Sequence, residues 1–140
     1  MNNTYRIIYL ENSDSDAALM RESLEDEQIP LELTILKDGQ AALNFIERKP
    51  FVPDLVILDI YVPKVNGLSV LGVLREDPVL RSVPVLLFVG LKGSTDLNSN
   101  ALKADLRLEK PFDWDGYRDV AKSIRSLIER PHEQASSAGA

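Results

Sequence analysis

Short apolar runs recur along this chain at near-even spacing: Tyr5–Leu10, Leu31–Leu36, Leu55–Leu58, Val83–Val89 and Leu106–Leu108. Each has the length of a strand. The third and fourth are apolar almost throughout, the pattern of strands covered on both faces. Between the runs lie segments with helical spacing. Ala17, Met20 and Leu24 share one face, with Asp14 and Asp16 in the first turn, where carboxylates oppose the positive end of the helix dipole, and with Pro30 as a stop. Asp38 is placed to cap a second helix carrying Ala42, Phe45 and Ile46, and a third carrying Leu68, Leu71 and Leu74 ends at Asp77–Pro78. In Ser94–Ala104 only Leu97, Ala101 and Leu102 can pack, so that helix is expected to be short or mobile. The last helix is the clearest. Tyr117, Val120, Ala121, Ile124, Leu127 and Ile128 follow the i, i+3, i+4, i+7 rule behind a cap at Asp113.

Strand and helix therefore alternate five times. Parallel strands need crossovers, crossovers are right-handed, and helices come to cover both faces of the sheet. The expected fold is a three-layer α/β domain over residues 1–130. The polar, small-residue stretch 131–140 is expected to be a disordered tail or linker stub. In open parallel sheets ligands sit beyond the carboxyl ends of the strands, which directs attention to the residues just after each apolar run.

Composition narrows the chemistry. Among 140 residues there is no cysteine and one histidine, His132, which lies beyond the last apolar stretch. Disulfides, thiolate metal sites, a thiol nucleophile and a buried Ser–His–Asp triad are excluded together. Asp and Glu number 22 against 16 Lys and Arg, a net charge of −6, so the surface repels a nucleic-acid backbone. No apolar run approaches the ~20 residues of a membrane span, and a cytoplasmic location is expected.

Glu11, Asn12, Ser13 and Asp14 follow the first strand, Asp59 ends the third, Val89–Gly90 closes the fourth, and Glu109–Lys110–Pro111–Phe112 follows the fifth. The topology should gather Glu11, Asp59 and Lys110 into one shallow acidic pocket. Four stretches, IIYLENSDSD, PDLVILDIYVPKVNGLSVL, VPVLLFV and LEKPF, resemble the receiver domain of two-component response regulators from about Tyr5 to Leu127. The resemblance implies a flavodoxin-like (βα)5 domain with a five-stranded parallel sheet in the order 2-1-3-4-5. It implies Asp59 as phosphoacceptor from a histidine kinase, Lys110 as partner of the phosphoryl oxygens, and a cis Lys110–Pro111 bond. It also implies a Mg2+ ion on Glu11, the residue-12 side chain, Asp59 and the Tyr61 carbonyl. A carboxylate attacking an anionic donor needs such cations to neutralise the developing charge, and magnesium prefers hard oxygen ligands.

Three positions depart from the family pattern. Asn12 stands where the second acid belongs, so Mg2+ binding should weaken. Val89 replaces the Thr or Ser whose hydroxyl meets the phosphoryl group. Arg107 replaces the aromatic switch residue, and an unpaired guanidinium cannot bury as a ring does. The expected reading of Arg107 is an exposed edge-strand charge; the sharper alternative turns its guanidinium toward Asp59 or Glu11. Together these changes suggest phosphorylation that is weakened, uncoupled from output, or absent. The expected protein is a single-domain receiver whose output is protein–protein binding; the alternative is a phosphorylation-independent docking module, a pseudo-receiver. The face formed by the fourth helix, the fifth strand and the last helix is where the family docks partners or forms homodimers. Enzyme readings fare poorly. A phosphatase that forms an aspartyl-phosphate needs an acid where Tyr61 stands, and the acidic loop after strand one would repel a flavin phosphate.

Overall fold

The structure is a computed structural model that describes residues 4–90 and 100–139. Its strands are β1 (Tyr5–Leu10), β2 (Leu31–Leu36), β3 (Leu55–Asp59), β4 (Val85–Val89) and β5 (Leu106–Glu109). All pair in parallel, in the order β2-β1-β3-β4-β5. The helices are α1 (Asp14–Asp26), α2 (Gly39–Arg48), α3 (Gly67–Glu76) and α4 (Trp114–Gly139), with a 3-10 turn at Ala101–Lys103.

Alternation along the central strands sends side chains into two cores, one on each face. Leu55 and Ile57 of β3 pack with Tyr9, Phe88, Met20 and Tyr117 beneath α1 and α4. Val56 and Leu58 pack with Ile8, Leu87, Leu71 and Leu74 beneath α2 and α3. All five residues of β3 are buried, as a strand covered on both sides requires.

Caps appear where side-chain chemistry allows them. Ser13, Asp38 and Asn66 each accept the backbone N–H three residues on, opening α1, α2 and α3. Asp113 Oδ1 accepts from Gly116 N at 2.9 Å at the start of α4. Arg75 staples the far edge. Its guanidinium donates to the carbonyls of Lys103, Arg81 and Val83 and to Asp105 Oδ2, at 2.7–2.9 Å.

Several expectations are corrected. The fourth strand begins at Val85 rather than Val83, because Pro84 has no N–H and the Val83 N–H turns back to the Leu80 carbonyl at 3.0 Å. Leu102, expected to pack, is 73% exposed; most of the helix expected at 94–104 lies outside the described residues. The last helix does not stop before Pro131 but continues to Gly139. Proline forfeits one intrahelical hydrogen bond there, and the Glu, Gln and Ala that follow are compatible with helix. The Lys110–Pro111 bond, cis by resemblance, is trans like every described peptide bond; trans is the intrinsically favoured isomer.

Two glycines set how closely the loop after β3 approaches its neighbours. A Cβ on Gly67 would lie 2.3 Å from the Asp59 carbonyl oxygen, and one on Gly39 would lie 1.9 Å from that of Val65. Gly67→Ala is therefore expected to lower unfolding free energy by about 2–3 kcal/mol, the scale of forced overpacking, as read by urea denaturation. In the same loop Lys64 and Val65 have φ of 64° and 135°, a strained conformation for a β-branched residue. The Gly39 N–H on the Pro63 carbonyl, at 3.0 Å, and the Lys64–Asp38 ion pair at 3.5 Å hold it.

Candidate functional site: an acid pocket around one lysine

The carboxyl ends of β1, β3 and β5 bring Glu11, Asp59 and Lys110 together. Lys110 Nζ lies 2.6 Å from Asp59 Oδ2 and 2.8 Å from Glu11 Oε1. Both acids are nearly sealed, Asp59 at 3% and Glu11 at 1% exposure. Asp59 Oδ1 accepts the Tyr61 N–H at 2.9 Å, which orients the carboxylate with one oxygen toward the β3–α3 loop and the other toward the lysine. Burial alone would push the Lys110 ammonium toward deprotonation, but hydrogen bonds from it to Asp59 and Glu11 outweigh this, and its pKa is raised above the ordinary lysine value.

A third carboxylate completes the pocket. Asp16 Oδ2 lies 3.2 Å from Lys110 Nζ. Asp14 and Asp16 both stand in the first turn of α1, as their positions predict; Asp16 also faces the site, whereas Asp14 turns away to pair with Lys37. Two buried tyrosines were missed altogether. Tyr9 donates its hydroxyl to Glu11 Oε1 at 2.9 Å, and Tyr117 donates to Asp16 Oδ1 at 3.1 Å. Tyr9 carried a usable signal: it stands two residues before Glu11 on one strand, hence on the same face of the sheet. Tyr117 carried none, since in sequence it is one more apolar position of the last helix.

The departing positions line the rim. Asn12 is exposed at the β1–α1 turn. Val89 is partly buried against the α2–α3 core and has no hydroxyl to offer. Arg107 is exposed on β5 and donates to the Ala101 carbonyl at 3.1 Å, so its guanidinium turns away from Asp59 and Glu11. Tyr61 is 55% exposed, and its ring covers Gly90, where a Cβ would meet the Tyr61 hydroxyl at 2.5 Å.

Comparison with known proteins places this geometry. The family model for the response regulator receiver domain matches residues 7–122. The response regulator Rcp1 of Synechocystis sp. is 32% identical over 96 residues, 65% of each chain. Response regulator PleD of Caulobacter vibrioides is 31% identical over 91 residues, 65% of this chain and 19% of PleD. These matches span less than two thirds of either relative's length. The crystal structure of the Mn(2+)-bound form of Rcp1 superposes with a TM-score of 0.76 at 27% identity, covering 88% of this chain and 93% of that one. The chain belongs to the response regulator receiver family, and its parallel sheet is the flavodoxin-like sheet of that family. Receiver domains are signalling modules of two-component systems, generally without enzymatic activity of their own, that bind Mg2+ and interact with histidine kinases and other signalling proteins. Among the described residues no helix is long and apolar enough to cross a membrane.

Proposed function

We propose that this chain is a cytoplasmic two-component receiver in which Asp59 takes a phosphoryl group from a histidine kinase, with output through protein–protein binding. The observation that carries the proposal is the lysine bridge: Lys110, 51 residues from Asp59 and 99 from Glu11, reaches both within 2.9 Å at one rim of the sheet. In the transfer an Asp59 carboxylate oxygen attacks phosphorus, the P–O bond forms as the donor's P–N bond breaks, and the leaving imidazole nitrogen takes up a proton. Lys110, bonded to Asp59 Oδ2, would offer its ammonium to the negatively charged oxygens of the incoming phosphoryl group. The Tyr61 N–H fixes the rotation of the nucleophilic carboxylate.

The donor set suits a divalent cation in kind. Three carboxylates surround one ammonium, which leaves two negative charges in excess. Among the described residues no three acidic or histidine side chains form a ready-made metal cage. An ion would therefore rest on Glu11, Asp59, the Asn12 amide and the Tyr61 carbonyl and keep several waters, as magnesium does. Such an ion would supply neutralisation of the anionic donor. Because Asn12 brings no charge, affinity is weakened, and Asn12→Asp is expected to tighten Mg2+ binding about tenfold or more by fluorescence titration.

The test is intact-mass spectrometry after incubation with acetyl phosphate and Mg2+. Gain of one phosphoryl group by the natural chain, lost in Asp59→Asn, supports the proposal. Its absence in the natural chain overturns it and favours the second reading, a phosphorylation-independent docking module. Val89 and Arg107 support that second reading, for neither side chain can respond to a phosphoryl group as a hydroxyl and a buried ring would.

A further inference from the structure

Positions 9 and 117 are fully buried, and packing alone would be served there by phenylalanine. A buried hydroxyl is costly unless it is hydrogen-bonded, so where the two hydroxyls end decides what they are for. Both end on the acid pocket. Tyr9 holds the Glu11 oxygen that also meets Lys110, and Tyr117 holds the Asp16 carboxylate whose other oxygen meets Lys110. Tyr9, Glu11, Lys110, Asp16 and Tyr117 thus form one continuous chain that runs from the core, across the strand ends, to the first turn of α4. Burial foremost, and then the neighbouring carboxylates, keep both phenols protonated donors well above their ordinary range.

We propose that Tyr9 and Tyr117 are positioning residues of the pocket and that Tyr117 conveys its charge state to α4. The inference rests on Asp59 being the phosphoacceptor, and deepens that reading by giving it a route to the surface. Among the described residues the opposite edge shows no such route, since Val89 has no hydroxyl and Arg107 is bonded outward to Ala101. When the charge on Asp59 changes, Lys110 redistributes between Glu11 and Asp16, and each of those carboxylates holds a phenol. Tyr117 lies in the opening turn of α4, three residues after Trp114, the protein's single tryptophan. Farther along, Arg118 pairs with Asp26 at 3.5 Å and Arg125 with Glu27 at 3.3 Å, so α4 is clamped to the end of α1 remote from the pocket. A displacement of Tyr117 is then taken up at the start of α4, around Trp114, rather than by sliding of the whole helix.

The indole N–H resonance of Trp114 reads this directly in a double-mutant cycle. It is compared among the natural chain, Asp59→Asn, Tyr117→Phe and the double variant. Asp59→Asn is expected to displace the resonance, and the displacement is expected to shrink at least threefold when Tyr117 is Phe. A purely packing role for Tyr117 would leave the Asp59-dependent displacement unchanged. Equal displacement in both backgrounds, or none in the natural background, overturns the inference. If Tyr117→Phe fails to fold, Tyr9→Phe supports the same comparison through Glu11. Mass measurement of the natural chain with acetyl phosphate and Mg2+ separates the two claims. A Tyr117-dependent displacement without phosphoryl uptake sustains the role of Tyr117 and defeats the acceptor reading. Phosphoryl uptake with a Tyr117-independent displacement does the reverse.

Discussion

Replacing Lys110 with methionine is expected to destabilise the protein by about 3 kcal/mol in urea unfolding at neutral pH. Removing one partner of a buried ion pair costs on the order of 3–5 kcal/mol. The lower end applies because Lys110 and Asp16 each keep 26% of their side-chain surface exposed. What remains is Glu11 and Asp59, almost wholly buried, with Asp16 beside them and, among the described residues, no other cation paired with them. Mg2+ is expected to restore part of the loss in Lys110→Met, since it would replace the missing cation. An unchanged unfolding midpoint in the variant would mean that the ammonium does not neutralise the pocket.

The same group sets an alkaline limit. The pKa of Lys110 is raised above 10.5 in the folded state, so its contribution is fully present below about pH 10.5 and is lost as pH rises through the folded value. Tyr9 and Tyr117, raised above 10.0, act with the same sign: the unfolded chain sheds phenolic protons that the folded chain retains. Unfolding free energy is therefore expected to fall steadily above pH 10, with a shallower slope in Lys110→Met and in Tyr9→Phe. A flat profile between pH 9 and 11 would contradict this linkage.

Phe88→Ala is expected to cost about 3–5 kcal/mol, the range for truncating a buried aromatic side chain. Phe88 is wholly buried, lies opposite Asp59 in the sheet, and meets the Tyr9 ring edge-on at 6.4 Å between centroids. Set against the ~5–15 kcal/mol stability of ordinary domains, this is a large fraction, visible as a lowered thermal midpoint. Phe88→Leu should cost less than about 2 kcal/mol, because volume and apolarity are largely kept. Equal losses for the two variants would show that the cavity is not the cause. The truncation also removes the wall against which Tyr9 is held.

Much of the candidate site could be read from residue order because strand ends are marked locally. Asp59 follows four apolar residues and precedes Pro63 and Asn66–Gly67; Lys110 opens a Pro-Phe pair after the last short strand. Given a parallel sheet, those ends share one rim. Asp16 was visible only as a first-turn acid, because helix phase decides whether such a residue faces solvent or the neighbouring loop. Arg107 shows the converse. Its two readings differed only in side-chain direction, and the carbonyl of Ala101 took the guanidinium.

Residue order alone determined the alternation of elements, the two-sided burial of β3 and β4, the caps at Asp38 and Asp113, and the meeting of Glu11, Asp59 and Lys110. Each follows from periodicities and end signals a few residues long. Tertiary packing decided that Asp16 completes the pocket and that the Tyr117 hydroxyl holds its carboxylate, while the run of α4 through Pro131 and the trans Lys110–Pro111 bond follow local backbone preference. A phenol on an apolar stripe reads like any other core residue, until a partner about a hundred positions away is folded against its hydroxyl.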